Sequence, residues 1–201
     1  GEGGMVTTND KVLWNRMWSF KDHGKSFDAI YNRQHPAGFR WVHESFGTNW
    51  RLTEMQSAIG RIQLTRMKDW TRIRGEHAAK LVHVCREFAC ISVPAIPDYI
   101  QHANYKFYVF VKSEKLNEGW TRDKIIEAMN DKGIPAMQGS CSEVYLEKAF
   151  DNTDFRPTES LPVAKQLGDT SMMFQVHPTI TAEQQDQVCL CLRYVLKQAS
   201  R

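Results

Sequence analysis

Apolar positions in the chain recur at two distinct spacings. From Thr53 onward, Met55, Ile59, Ile62, Met67, Trp70 and Ile73 return at mostly helical intervals, and His77, Leu81, Val84 and Phe88 continue the stripe. This spacing predicts one long helix from Thr53 to about Phe88, with one face buried and Gly75 as the expected bend. Thr53 and Gln56 have capping-box spacing, so each side chain can bond the other residue's backbone amide. Upstream, the branched run Met5 to Thr8 predicts a short strand, and Lys11 to Ser19 a short helix with Val12, Leu13, Met17 and Trp18 along its apolar side. Residues 20–50 have weak periodicity but carry Phe20, Phe27, Tyr31, Phe39, Trp41, Phe46 and Trp50. So many aromatics on a long loop imply burial against another surface, such as a second subunit.

Pro94 and Pro97 end the helical region, and a compact α/β pattern follows. Strands are predicted at Tyr105 to Val111, Ile134 to Met137 and Ser171 to Val176. Helices are predicted after Thr121, around Val144 to Phe150, over Leu161 to Leu167, and after the second capping-box pair, Thr181 and Gln184. Gly133 has the C′ place of the helix begun at Thr121, and Pro162 falls in a first turn, where it is tolerated.

Composition narrows the class without naming a reaction. The chain has 201 residues, 42% hydrophobic and 24% charged, with a formal charge of +3. This charge is too small to imply nucleic acid or a membrane surface as a partner. The five scattered cysteines fit reduced thiols in a cytoplasmic setting, and no apolar run is long enough to span a bilayer. The basic run Arg61, Arg66, Lys68, Arg72 and Arg74 is more often a solvated helix face than a nucleic-acid contact. The seven histidines fit no metal spacing, and Cys141 has no assignable base. Opening at Gly1 without a methionine, the chain is expected either to have lost a leader or to be a piece of a longer protein. The loop before Thr53 is the best candidate site. Asn49 and Arg51 sit where a helix start favours an anion, and both side chains suit phosphate or carboxylate.

An ordered series of landmarks adds to this. Gly1-Glu2-Gly3-Gly4-Met5-Val6-Thr7-Thr8-Asn9-Asp10, His23-Gly24, Phe46 to Leu64, Lys132-Gly133-Ile134-Pro135 and His177-Pro178-Thr179-Ile180-Thr181 resemble the DegT/DnrJ/StrS sugar aminotransferases. The resemblance implies an α/β fold: the end of a fold-type I large domain, a long connecting helix and a small C-terminal α/β domain. Residues 1–72 would belong to the cofactor domain and the start of the connecting helix, and residues 73–201 to the small domain. It implies pyridoxal 5′-phosphate as cofactor, nucleotide-sugar and amino-acid substrates, and a homodimer with shared active sites. By position, Asn49 matches an asparagine that reaches the cofactor phosphate of the other subunit, and Arg51 an arginine that contacts the acidic donor or the sugar-nucleotide. His177 matches a histidine near the active site. Ser140 lies in Gln138 to Glu143, a segment that departs from the family's Tyr/Pro/His-containing pattern. The Schiff-base lysine is expected upstream of Gly1, so the chain alone is expected to be inactive. The alternatives are a sugar dehydratase of the same fold and a non-catalytic dimerisation or binding module.

Overall fold

The computed structural model describes residues 3–38 and 40–201. The chain divides into two compact units, Gly1–Arg66 and Met67–Arg201. Gly1, Glu2 and Phe39, on which two of the sequence expectations fall, lie outside the described residues.

In the first unit, helix α1 (Lys11–Lys21) begins at Asp10, whose carboxylate accepts from the amides of Val12 and Leu13. The five-residue helix α2 (Phe27–Tyr31) follows, with the Ser26 hydroxyl accepting from the amide of Ala29. Sequence periodicity did not reveal α2, because one turn is too short to show a 3.6-residue repeat. Trp14, Trp18, Phe27 and Tyr31 stack between the two helices with ring centroids 4.7 to 6.2 Å apart. The strand expected at Met5 to Thr8 is absent: that segment is irregular, and Met5 and Val6 are exposed. Branched side chains favour a pleated surface, but a strand forms only where a neighbour takes its backbone bonds, and none pairs with this one among the described residues.

Helix α3 (Glu54–Cys85) runs unbroken through Gly75. Its capping box forms as the sequence implies: the Gln56 amide donates to Thr53 Oγ1 at 3.3 Å, and the Thr53 amide to Gln56 Oε1 at 3.0 Å. The expectation of one continuously buried face is corrected. His77, Leu81 and Val84 are buried, whereas Met55, Ile59, Ile62 and Met67 are all more than half exposed. Periodicity identifies the apolar face of a helix, not whether anything covers it. In the aromatic loop Trp41, Phe46 and Trp50 are largely exposed on the single chain.

The second unit holds one antiparallel sheet of four strands in the order β1-β2-β4-β3. These are β1 (Ile91–Ser92), β2 (Phe107–Val111), β3 (Ala136–Gln138) and β4 (Ser171–Phe174), with Val109 opposite Met172 and Met137 opposite Met173. β1 was not anticipated, since two residues carry no alternation to read. Helix α4 (Arg122–Asn130) starts at the Thr121 cap, and Gly133 takes the positive φ of +76° that follows its end. Both Asn130 side-chain groups bond the backbone of Ala136, and the amides of Gly133 and Ile134 bond back into the helix end. The exit turn thus consumes residues 133–135, and the strand starts two residues later than its hydrophobicity suggests. The segment Val144 to Phe150 is two 3-10 turns, not a short α-helix. α5 (Pro162–Thr170) has Pro162 in its first turn, and α6 (Ala182–Ala199) carries the complete Thr181/Gln184 capping box. Leu81 and Val84 of α3, Ile125 and Met129 of α4, and Leu192, Val195 and Leu196 of α6 form one core with Phe107, Val109, Met172 and Phe174 of the sheet. Among the described residues, no helix is long and apolar enough to cross a membrane.

Candidate functional site

Asn49 and Arg51 stand on a segment pinned backbone to backbone. α1 ends at Lys21, and His23 and Gly24 take positive φ values of +59° and +82°, which reverse the chain. Asp22 then pairs antiparallel with Asn49, and Lys25 with His43. The His23 amide donates to the Thr48 carbonyl at 2.9 Å, and the Trp50 amide to the Lys21 carbonyl at 2.9 Å. Two glycines permit this approach. A Cβ on Gly24 would lie 1.6 Å from the Ser45 carbonyl oxygen, and one on Gly47 only 2.4 Å from the Gly24 nitrogen.

Arg51 follows directly, two residues ahead of the Thr53 cap of α3. Its Nε lies 3.5 Å from Asp22 Oδ1, and His23 Nδ1 lies 3.2 Å from the same oxygen. The Asp22 side chain is only 12% exposed, while that of Arg51 is 51% exposed. Burial pushes the Asp22 carboxyl up. The His23 hydrogen bond and the charges of Arg51, Lys25 and Lys21 outweigh it and hold the group below its ordinary value. One ionised carboxylate therefore faces a surplus of positive charge. The exposed Asn49 carboxamide and the terminal nitrogens of Arg51 make no hydrogen bond among the described residues. An amide donor and a guanidinium fork beside a positive cluster make a donor set for an oxyanion.

The other two residues singled out from the sequence lie in the second unit, on separate partners. Ser140 is exposed just after β3, and its Oγ sits 2.9 Å from the hydroxyl of Tyr108 on β2. Gly139 holds the turn close to the sheet, since a Cβ there would lie 2.2 Å from Ser171 Oγ. Tyr108 also lines a cleft of about 450 Å³ with Ala78, Val82, Ile96, His102 and Lys106. His177 is exposed after β4, and its Nδ1 accepts from the amide of Thr179 at 3.3 Å and meets Thr179 Oγ1 at 2.7 Å. This leaves Nε2 as the protonated nitrogen, facing outward. The turn it occupies is fixed by the buried His77, whose Nε2 donates to the Ile180 carbonyl at 3.1 Å.

Sequence reasoning overlooked Asp22 and Tyr108. The signal for Asp22 was its place beside His23-Gly24, a pair whose glycine marks a close backbone approach. Tyr108 is the polar-tipped member of an alternating strand. Among the described residues, no group of three His, Cys, Asp or Glu side chains could hold a metal ion.

Over most of its length the chain is similar to known proteins. An aminotransferase from Psychrobacter cryohalolentis superposes with a TM-score of 0.90 and is 51% identical, covering 95% of this chain and 50% of that one. The spore coat polysaccharide biosynthesis protein SpsC of Bacillus subtilis is 26% identical over 201 residues, 99% of this chain and 51% of that protein. The erythromycin biosynthesis sensory transduction protein EryC1 of Saccharopolyspora erythraea is 25% identical over 193 residues, 96% of this chain and 47% of its own length. The chain thus spans about half the length of the relatives it matches. The family model described as DegT/DnrJ/EryC1/StrS aminotransferase matches residues 1–193, and the chain belongs to that family.

Proposed function

We propose that the chain forms part of an aminotransferase that moves an amino group from an amino acid, glutamate, to a nucleotide-linked keto-sugar. Pyridoxal 5′-phosphate is the cofactor of the family to which the chain belongs. The observation that carries the proposal is the pinned edge of residues 49–51. There Asn49, with an unpartnered carboxamide, pairs with Asp22, and the exposed Arg51 has its Nε 3.5 Å from the nearly buried Asp22 carboxylate, which His23, Lys25 and Lys21 also influence. This donor set fits the phosphate of the cofactor and the carboxylate or phosphate of a substrate. When bound, the cofactor supplies an electron sink at the carbon that exchanges its amino group.

In this reading residues 1–72 belong to the cofactor domain and the connecting helix, and residues 73–201 form the small domain. Asn49 donates its amide to the cofactor phosphate of the other subunit of a homodimer. Arg51 grips the substrate anion with the two hydrogen bonds of its fork. The outward Nε2–H of His177 and the Ser140–Tyr108 hydroxyl pair offer hydrogen bonds to sugar hydroxyls. The exposed apolar face of Met55, Ile59, Ile62 and Met67 supports a second surface packed over it in the dimer. The lysine that bonds the cofactor lies outside these 201 residues, so the chain by itself does not transaminate.

Substitution in the assembled, cofactor-loaded enzyme tests the assignment. Asn49→Ala should weaken retention of the cofactor. Arg51→Ala should lower kcat/KM by about tenfold to a hundredfold, because a hydrogen bond to a charged group contributes about 1.5–3 kcal/mol. Wild-type cofactor affinity and wild-type kcat/KM in both variants would refute it.

A further inference from the structure

Asp22 is an unusual residue to find under an exposed arginine. It is among the least exposed charged residues of those described, with 9% of the whole residue's surface open, and it sits at the end of a helix rather than in a core. Its backbone is fixed from both sides. The Asp22 amide closes the last turn of α1 on the Ser19 carbonyl, its own carbonyl accepts from the Lys25 amide at 3.0 Å, and the residue pairs with Asn49. The carboxylate therefore has little freedom, and it is set on the same rung from which Arg51 departs two residues later. Its Oδ1 meets the Nε of Arg51 at 3.5 Å and the Nδ1 of His23 at 3.2 Å. Nε is the one guanidinium donor on the stem side of the fork. A carboxylate placed there orients the group while leaving both terminal nitrogens outward, the pair that makes a two-bond contact with an oxyanion.

Resting on the reading of Arg51 as an anion-binding residue, we propose that Asp22 is its positioning residue, holding the guanidinium ready by its Nε so that the terminal nitrogens close on a carboxylate or phosphate. The physical gain is preorganisation. A free arginine must give up rotamer freedom when it binds, and ordering one such side chain in advance is worth about threefold to tenfold in affinity. Lys21 and Lys25 contribute to the positive surroundings, and Lys21 is itself stacked over Trp18 at 3.8 Å, so Arg51 is the member of the cluster placed to reach outward.

The test is a double-mutant cycle on the assembled, cofactor-loaded enzyme, with two inert probes: glutarate for a donor carboxylate and thymidine diphosphate for a nucleotide phosphate. Calorimetric Kd values for both probes, and KM and kcat for both substrates, are measured for wild type, Asp22→Asn, Arg51→Ala and the double variant. Whichever probe Arg51→Ala weakens should also be weakened by Asp22→Asn, by about threefold to tenfold, in Kd and KM but not kcat. In the Arg51→Ala background, Asp22→Asn should add nothing. An equal loss with and without Arg51 would overturn the proposal and make Asp22 a folding residue only; no loss in the presence of Arg51 would overturn it equally. Arg51→Ala binding both probes like wild type would instead remove the reading of Arg51, and the proposal with it. If Asp22→Asn does not fold, Asp22→Glu tests the same contact, since it keeps the charge and the Arg51 fork but moves the carboxylate by one methylene relative to Nε. It should reproduce the loss, and wild-type affinity in that variant would refute the positioning role.

Discussion

The close approach at Gly24 permits a prediction with a worked magnitude. Gly24 has φ +82°, and an added Cβ would lie 1.6 Å from the Ser45 carbonyl oxygen and 2.5 Å from its carbon. No side-chain rotation relieves a contact made by Cβ itself against backbone, so Gly24→Ala must separate the two segments. The left-handed conformation costs an alanine about 1–2 kcal/mol. Separation also forfeits the bonds from the amides of Glu44 and Ser45 to the Gly24 carbonyl, at 2.9 and 3.2 Å, each worth about 0.5–1.5 kcal/mol net. Together these give about 2–5 kcal/mol, and the lower bound is close to thirtyfold in a local opening equilibrium. Hydrogen exchange should therefore speed up by about thirtyfold or more at the amides of His23, Glu44, Ser45, Thr48 and Trp50, while Val109 and Met172 in the sheet keep their protection. Gly119→Ala is the control, because its φ is +80° but its added Cβ would meet only the flexible end of Lys124, at 4.0 Å. Exchange at these five amides within about threefold of wild type in Gly24→Ala would refute the reasoning.

Two further outcomes concern the second unit. Burial lowers the pKa of His77, against the opposing effect of its bond to Ile180, so the unfolded chain takes up a proton before the folded one. Stability should then fall as pH drops below about 6.5, and His77→Gln should flatten that slope in melts between pH 7.5 and 5.5; an unchanged slope would exclude His77 as its source. Asp22, whose carboxyl is lowered, contributes stability above the ordinary aspartate range that is lost only at more acid pH, so the two windows separate. Among the thiols, Cys141 is exposed whereas burial pushes Cys85 up to about 12. Iodoacetamide at pH 8 should label Cys141 rapidly and Cys85 only in denaturant, as read by peptide mass; comparable rates would contradict the buried position of Cys85.

What was legible in the sequence was local. The capping pairs Thr53/Gln56 and Thr181/Gln184 and the Thr121 cap form as their spacing implies, because each involves residues within one helical turn. The alternation of Phe107, Val109 and Val111 marked a strand buried on one side. What failed depended on distant partners. Met5 to Thr8 has strand-forming residues but no pairing neighbour among the described residues, and β1 is a strand only because Ile91 lies opposite Val111. The stripe from Met55 to Met67 is apolar, but only packing decides whether such a face is covered. At the candidate site, Asn49 and Arg51 stood out by their place before a helix cap. Asp22 did not, since its burial follows from a rung between residues 27 positions apart. The glycines that make this rung possible, Gly24 and Gly47, were visible as residues but not as a matched pair.

The most direct measurement is subunit mixing. The proposed homodimer with shared sites would place Arg51 in the active site of the opposite subunit. A variant carrying Arg51→Ala is therefore mixed with one lacking the cofactor-bonding lysine, and the heterodimers are isolated before assay. One of the two sites then carries both defects and the other carries neither. Activity should recover to about half of the wild-type value per dimer, well above either parent variant. Heterodimers that form but show no recovery would mean that Arg51 acts within its own subunit, and the assignment of the pinned edge at residues 49–51 to a shared site would be wrong.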